Sequence, residues 1–88
     1  MRRPICCACR LLMVCERAGV DVELMTGAAP YQIWSADLFR CPKCDCKIIL
    51  WFGQMPMAEH FQEKYQSFLP TVITRFWSTL VDMESACR

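Results

Sequence analysis

Apolar and charged residues alternate over Val20-Asp21-Val22-Glu23-Leu24, the period-two pattern of a half-buried strand. Thr26 to Pro30 reads as a turn or loop. A second strand is expected from about Tyr31 to Arg40, carrying Tyr31, Ile33, Trp34, Leu38 and Phe39, with an irregularity at Ser35-Ala36-Asp37. A third follows in Lys47-Ile48-Ile49-Leu50-Trp51-Phe52, rich in strand formers and ended by Gly53. Ahead of these strands, 10–14 reads as a short apolar segment and 15–19 as a turn. The pattern changes after Gln54-Met55-Pro56. Met57, Phe61, Tyr65 and Phe68 recur at spacings of four, four and three, which predicts a helix over 57–69. Pro70 breaks that run. Val72, Ile73, Phe76, Trp77, Leu80, Val81 and Met83 then form a wide apolar band, read as a second helix over 71–86. The expected fold class is therefore α+β: a small three-stranded antiparallel meander followed by one or two C-terminal helices. It forms one domain over 1–88, with a ribbon over 1–56 and a helical segment over 57–88.

At 88 residues such a domain buries little surface, and chains this short often depend on a metal or disulfides. Eight cysteines supply the means. Secretion would turn them into four disulfides and would need an export signal. Arg2 and Arg3 imitate a basic leader, but Pro4, Arg10 and three cysteines interrupt the apolar stretch and no small-residue cleavage site follows. No apolar run approaches the ~18 residues that cross a bilayer. The expectation is a cytoplasmic chain whose cysteines hold a metal.

The cysteine spacing gives that expectation its detail. Cys6 and Cys9 form one Cys-x-x-Cys pair, and Cys41-Pro42-Lys43-Cys44 forms another, with 31 residues between them. Each pair can aim two sulfurs at one centre across a tight turn. Two pairs make four soft ligands for a single tetrahedral Zn²⁺ with no open position, a structural rather than catalytic arrangement. Such a site supplies on the order of 10 kcal/mol to folding in small zinc peptides. Cys7 crowds the first turn and Cys46 follows the second, so either could replace a ligand, and iron could stand in for zinc. Cys7, Cys15, Cys46 and Cys87 read as plain thiols; a second metal on Cys7, Cys15, Cys46 and His60 is the alternative. His60, the one histidine, reads as solvated or capping, and Asp37 as a hydrogen-bond partner for backbone near the second cysteine turn.

The segment Pro30-Tyr31-Gln32-Ile33-Trp34-Ser35-Ala36-Asp37-Leu38 ahead of Cys41-Pro42-Lys43-Cys44, then Phe52-Gly53 and Ala58-Glu59-His60-Phe61, resembles small zinc-ribbon proteins of phages and bacteria, mostly of unassigned function. The resemblance covers about residues 6–61. It implies ligands at Cys6, Cys9, Cys41 and Cys44 and no particular activity. Asp45 stands where ribbons usually carry glycine, and nothing from about 68 onward has a counterpart.

Formal charge is +1 with every cysteine a neutral thiol, and four thiolates on one Zn²⁺ would bring the loaded domain to about −1. A phosphate-tracking protein normally carries a strong basic excess. Nucleic-acid binding is therefore the second expectation, through Arg2, Arg3, Arg10, Arg40, Lys43 and Lys47 around the cysteine turns. The first is an interaction module that meets a protein partner, itself or a host factor, through Val72, Ile73, Phe76, Trp77, Leu80 and Val81 and through exposed aromatics. No catalytic set, small-molecule substrate or membrane is expected.

Overall fold

A computed structural model of the chain describes residues 3–51, 53–81 and 83, with the side chain of Trp51 excepted. Its frame is one long antiparallel hairpin of β3 (Val14–Thr26) and β4 (Ala29–Arg40). The two strands are joined at Gly27-Ala28, where Gly27 takes a φ of +59°. Glycine as the first central residue is what a two-residue hairpin turn of this hand requires. β5 (Lys47–Trp51) returns alongside β4, completing the expected meander with the second cysteine pair as its turn.

The first strand is longer than its alternating core predicts. Residues 15–19 form no turn but stay in β3, which slips register against β4 between Cys15 and Arg17 and again between Arg17 and Val20. Gly19, at φ +70°, sits in the second slip, and its N–H donates to the Asp37 carboxylate at 3.0 Å. Bulges of this kind hide a strand from a period-two reading, because each extra residue inverts the phase. Before the hairpin, β1 (Ile5–Cys6) and β2 (Leu11–Leu12) make a separate two-stranded ribbon around the first cysteine pair.

The C-terminal third corrects the helical expectation. Ala58–Glu59 is a short strand, β6, on the upper half of β4, with Ala58 opposite Ile33. Helix α1 spans only Lys64–Phe68 and tightens into a 3₁₀ turn at Leu69–Thr71. The predicted helix over 71–86 is instead strand β7 (Val72–Trp77), which pairs parallel with β3; helical backbone returns only at 80, 81 and 83 among the described residues. The physical reason lies in the residue types. Val72, Ile73, Thr74, Phe76 and Trp77 are β-branched or aromatic, and the apolar band is wide because the strand contributes to both faces of the sheet. The main sheet has the order β5-β4-β3-β7, with β6 also on β4. It is a mostly-β, mixed five-stranded sheet with one short helix, not a meander with a helical tail.

Three small cores follow. Val20, Val22 and Ala36 are buried on one face with Trp34, Leu38, Ile49 and Phe76 against them. Ile33, Ala58 and Tyr65 are buried on the other, under Phe68, Leu69 and Val72. Met13, Phe39, Cys6 and Cys41 form the third at the open end of the hairpin, and it is there that the cysteines meet.

Candidate metal centre

The two cysteine turns are built alike. In the first, the N–H of Arg10 donates to the Cys6 carbonyl at 2.7 Å; in the second, the N–H of Asp45 donates to the Cys41 carbonyl at 3.1 Å. In each the residue after the second cysteine lies in the left-handed region, Arg10 at φ +58° and Asp45 at φ +63°. That conformation costs a side-chain-bearing residue on the order of 1 kcal/mol, least for aspartate or asparagine. The expected glycine position is thus real at Asp45, and Arg10 is its counterpart in the first turn. The β1–β2 ribbon presents Cys6 and Cys9, and the β4–β5 turn presents Cys41 and Cys44. The N–H of Cys41 also donates to the Cys46 carbonyl at 2.8 Å, closing the second turn.

The four sulfurs of Cys6, Cys9, Cys41 and Cys44 all lie within 4.8 Å of one another. The Cys6 and Cys44 sulfurs are 3.6 Å apart. Sulfurs at the corners of a tetrahedron with metal–sulfur bonds of about 2.3 Å stand about 3.8 Å apart, whereas a disulfide closes to about 2.05 Å. The described cysteines are all free thiols. The donor set therefore fits a single four-coordinate soft metal, and no other such group occurs among the described residues. Cys7, Cys15 and Cys46 are exposed and stand outside it, as expected of plain thiols; Cys87 lies outside the described residues.

Electrostatics distinguish the four ligands. The backbone N–H of Cys44, with that of Lys43, aims at the Cys41 sulfur; these, with the neighbouring thiols, bring Cys41 down to about 6 despite its burial. Cys9 is pushed up to about 12, first by the hydrogen bond with Cys44 and then by burial and the sulfurs of Cys41 and Cys6. Cys44 is pulled down by the N–H of Cys46 and by Cys9, but the sulfurs of Cys41 and Cys6 together with burial outweigh them and it ends raised. Of the four, Cys41 is therefore the one most inclined to the thiolate form and the ready first ligand.

The basic residues near these turns are largely engaged. Glu16 holds Arg40 at 3.3 Å and Lys47 at 3.4 Å, and Arg40 also meets Asp45 at 3.6 Å. Arg3 donates through Nε to the Met13 carbonyl. Arg10 and Lys43 are exposed; Arg2 lies outside the described residues. The six apolar residues expected to make one helical face do not share a face. Val72 packs under the helix and Phe76 on the opposite side of the sheet, Trp77 donates through its indole N–H to the Gly27 carbonyl, and Ile73, Leu80 and Val81 are exposed. Asp37 serves Gly19 rather than the cysteine turn, and His60 is exposed, stacked on Tyr31.

A second polar centre escaped the sequence. Glu23 is only 2% exposed and accepts from the Tyr65 hydroxyl at 2.5 Å and from Arg75 Nε at 2.8 Å. In the alternating stretch it reads as solvent-facing. Only the return of 58–77 over that face, which no local pattern signals, buries it.

No helix among the described residues is long and apolar enough to cross a membrane. Compared with known proteins, the chain matches no family model, no curated protein and no solved structure.

Proposed function

We propose that the chain is a zinc-stabilised interaction module: one structural Zn²⁺ on Cys6, Cys9, Cys41 and Cys44 holds the ribbon, and the C-terminal segment meets a protein partner. The single observation that carries the partner reading is the apolar surface beyond the core: Ile73 is 38% exposed, Leu80 77%, Val81 70% and Met83 46%. Four large apolar side chains left exposed within eleven residues of sequence are what a contact segment would carry. The metal supports it by fixing the other end of the sheet at no cost in conformational freedom of the contact strand. Zinc is favoured over iron because four thiolates in a closed set, with buried Cys6 and Cys41, suit a redox-silent ion in a structural role. The acidic partners of Arg40 and Lys47 weigh against the nucleic-acid alternative, since they neutralise two of its six proposed contacts.

The test is site-specific photocrosslinking in the expressing cell, with a benzophenone amino acid at Ile73 or Leu80 and at exposed Arg17 as control. Crosslinks to a defined polypeptide from the first two positions and not the third are expected. Absence of any polypeptide crosslink from Ile73 and Leu80 removes the reading.

A further inference from the structure

Arg75 is held by one nitrogen only. Its Nε donates to one Glu23 oxygen at 2.8 Å, and the other Glu23 oxygen accepts from the Tyr65 hydroxyl at 2.5 Å. The Glu23 side chain is 3% exposed, that of Arg75 64%. Both carboxylate oxygens are thus engaged from inside, while neither terminal nitrogen of Arg75 makes a hydrogen bond among the described residues. A guanidinium tethered through Nε holds its two terminal NH₂ groups in a set plane, the fork that matches a carboxylate bidentately. That fork stands between two hollows, and Glu23, Leu69 and Arg75 line both. One, of about 540 Å³, runs out along Val72 to Thr74. The other, of about 250 Å³, lies between the β3–β4 turn and helix α1, with Met25, Ala28, Pro30 and Leu69 as its apolar side and His60 and Gln66 as its polar side. His60 is fixed there: its ring stacks on Tyr31, and its Nδ1–H donates to the Tyr31 carbonyl at 3.2 Å.

We propose that this site binds a carboxylate carried on a small apolar body, the carboxylate on the outer edge of Arg75 and the body in the hollow between the hairpin turn and α1. The inference goes beyond the interaction-module reading and does not depend on it. Charge selects a carboxylate over a phosphate. Arg75 is the one lysine or arginine lining either hollow, and Glu23 already offsets it. Only the outward edge of the guanidinium is then electropositive. That edge gives one monoanion two parallel N–H donors, whereas the second charge of a phosphate dianion would meet only Glu23 behind it. Size selects a small body. Small-molecule sites measure about 300–1,000 Å³, and a hollow of about 250 Å³ suits a body of about one ring. Glu23 acts here as a positioning residue, since it touches Arg75 and not the ligand. The alternating pattern hides the site, because there Glu23 reads as solvent-facing.

Heteronuclear NMR of the zinc-loaded chain, titrated with hydrocinnamate to about 20 mM, tests this through the Arg75 Nε–Hε signal and the amides of Met25, Ala28, His60 and Gln66. Saturable shifts at all of these are expected, with a dissociation constant on the order of 1 mM for so small a ligand. Hydrocinnamamide, which lacks the charge, and acetate, which lacks the body, should each bind at least about tenfold more weakly. Arg75→Lys keeps a charge opposite Glu23 but loses the fork, and Ala28→Phe, at an exposed turn position, fills the hollow. Each should weaken binding at least about tenfold. Far-UV circular dichroism with the metal-thiolate spectrum verifies that each variant keeps its fold, and Ala28→Phe carries the test if Arg75→Lys does not. Shifts that never saturate, or that spare the Arg75 signal, overturn the inference. So does an amide or acetate that binds as tightly as hydrocinnamate, or binding that Ala28→Phe leaves unchanged. N-acetylglycylphenylalanine binding tighter than hydrocinnamate would assign the site to the end of a polypeptide, and binding weaker would assign it to a free acid; either result supports the carboxylate site.

Discussion

Replacing Tyr65 by phenylalanine tests whether the Glu23 centre fastens the C-terminal third to the sheet. The substitution keeps the ring, which is 2% exposed and packs with Ile33 and Ala58, and deletes only the hydroxyl that donates to Glu23. One carboxylate oxygen then loses its partner inside the protein while Arg75 keeps the other. A hydrogen bond to a buried charged group is worth about 1.5–3 kcal/mol, so a loss of about 2 kcal/mol is expected. For a domain of this size that lowers the melting temperature by about 8–16 °C. The assay is guanidinium denaturation of zinc-loaded protein followed by far-UV circular dichroism, with Glu23→Gln and the double variant completing a cycle. In the Glu23→Gln background the same substitution should cost clearly less. Alkaline pH gives a second reading. Burial, and then the Glu23 carboxylate, raises the Tyr65 hydroxyl above its ordinary value of 10. A proton held more tightly in the folded chain adds stability that is fully present below pH 10 and drains away as pH rises beyond it. The gap between wild type and Tyr65→Phe should therefore narrow above pH 10. A cost below about 0.5 kcal/mol, indistinguishable from an ordinary surface change, would refute the reasoning, as would a coupling of zero in the cycle.

The metal centre yields four further expectations. Cobalt(II) should bind one equivalent and show the thiolate charge-transfer and visible bands of a tetrahedral sulfur site; Cys41→Ser should abolish them and Cys7→Ser or Cys46→Ser should leave them unchanged. Calorimetric zinc titrations at pH 7.5 in buffers of different ionisation heat should show fewer protons released than there are ligands, because Cys41, at about 6, is already ionised while Cys9, at about 12, must give up a full proton. Below pH 6 Cys41 also binds a proton, so affinity should fall more steeply there than between pH 6 and 8; a slope that does not change through pH 6 would contradict the assignment. Arg10→Gly should stabilise the loaded domain by about 0.5–1 kcal/mol and Asp45→Gly by less, since each relieves a left-handed residue and aspartate bears that conformation better; urea midpoints at saturating zinc measure both.

The cysteine site was legible because spacing alone encodes it. Two sulfurs three residues apart must share a turn, and two such turns in an 88-residue chain have one obvious use. The strands over 20–24, 31–40 and 47–52 were legible for a similar reason, since alternation and β-branched runs are local properties. Three things were not. The slips in β3 at Arg17 and Val20 broke the alternation that would have extended the strand back to Val14. Val72 to Trp77 offered apolar residues at helical spacing, and the wide band suited a buried helix as well as a two-sided strand; its residue types, rich in valine, isoleucine, threonine and aromatics, were the better guide. The parallel partnership of β7 with β3 joins Asp21 to Val72, and nothing local specifies a contact at that range.

The β3–β4 hairpin has a consequence for how the protein comes apart. Its open end is clasped by the four cysteines, and the Glu23, Tyr65 and Arg75 cluster grips it nearer the turn. Val14 and Glu23 are nine residues apart along β3, roughly 30 Å of extended strand. At that separation the two clasps share no neighbour, so substitutions at one should add to those at the other. They also define separate units of local opening. Stripping the metal with a chelator should speed amide exchange first in 5–13 and 41–47, while the amides flanking Glu23 hold their protection longer. Amides that lost protection together from end to end would mean that the hairpin transmits the loss as a single cooperative unit. Loss in the expected order would mean that a chain this small carries two independently releasable ends on one hairpin, with β7 at the end that the metal does not control.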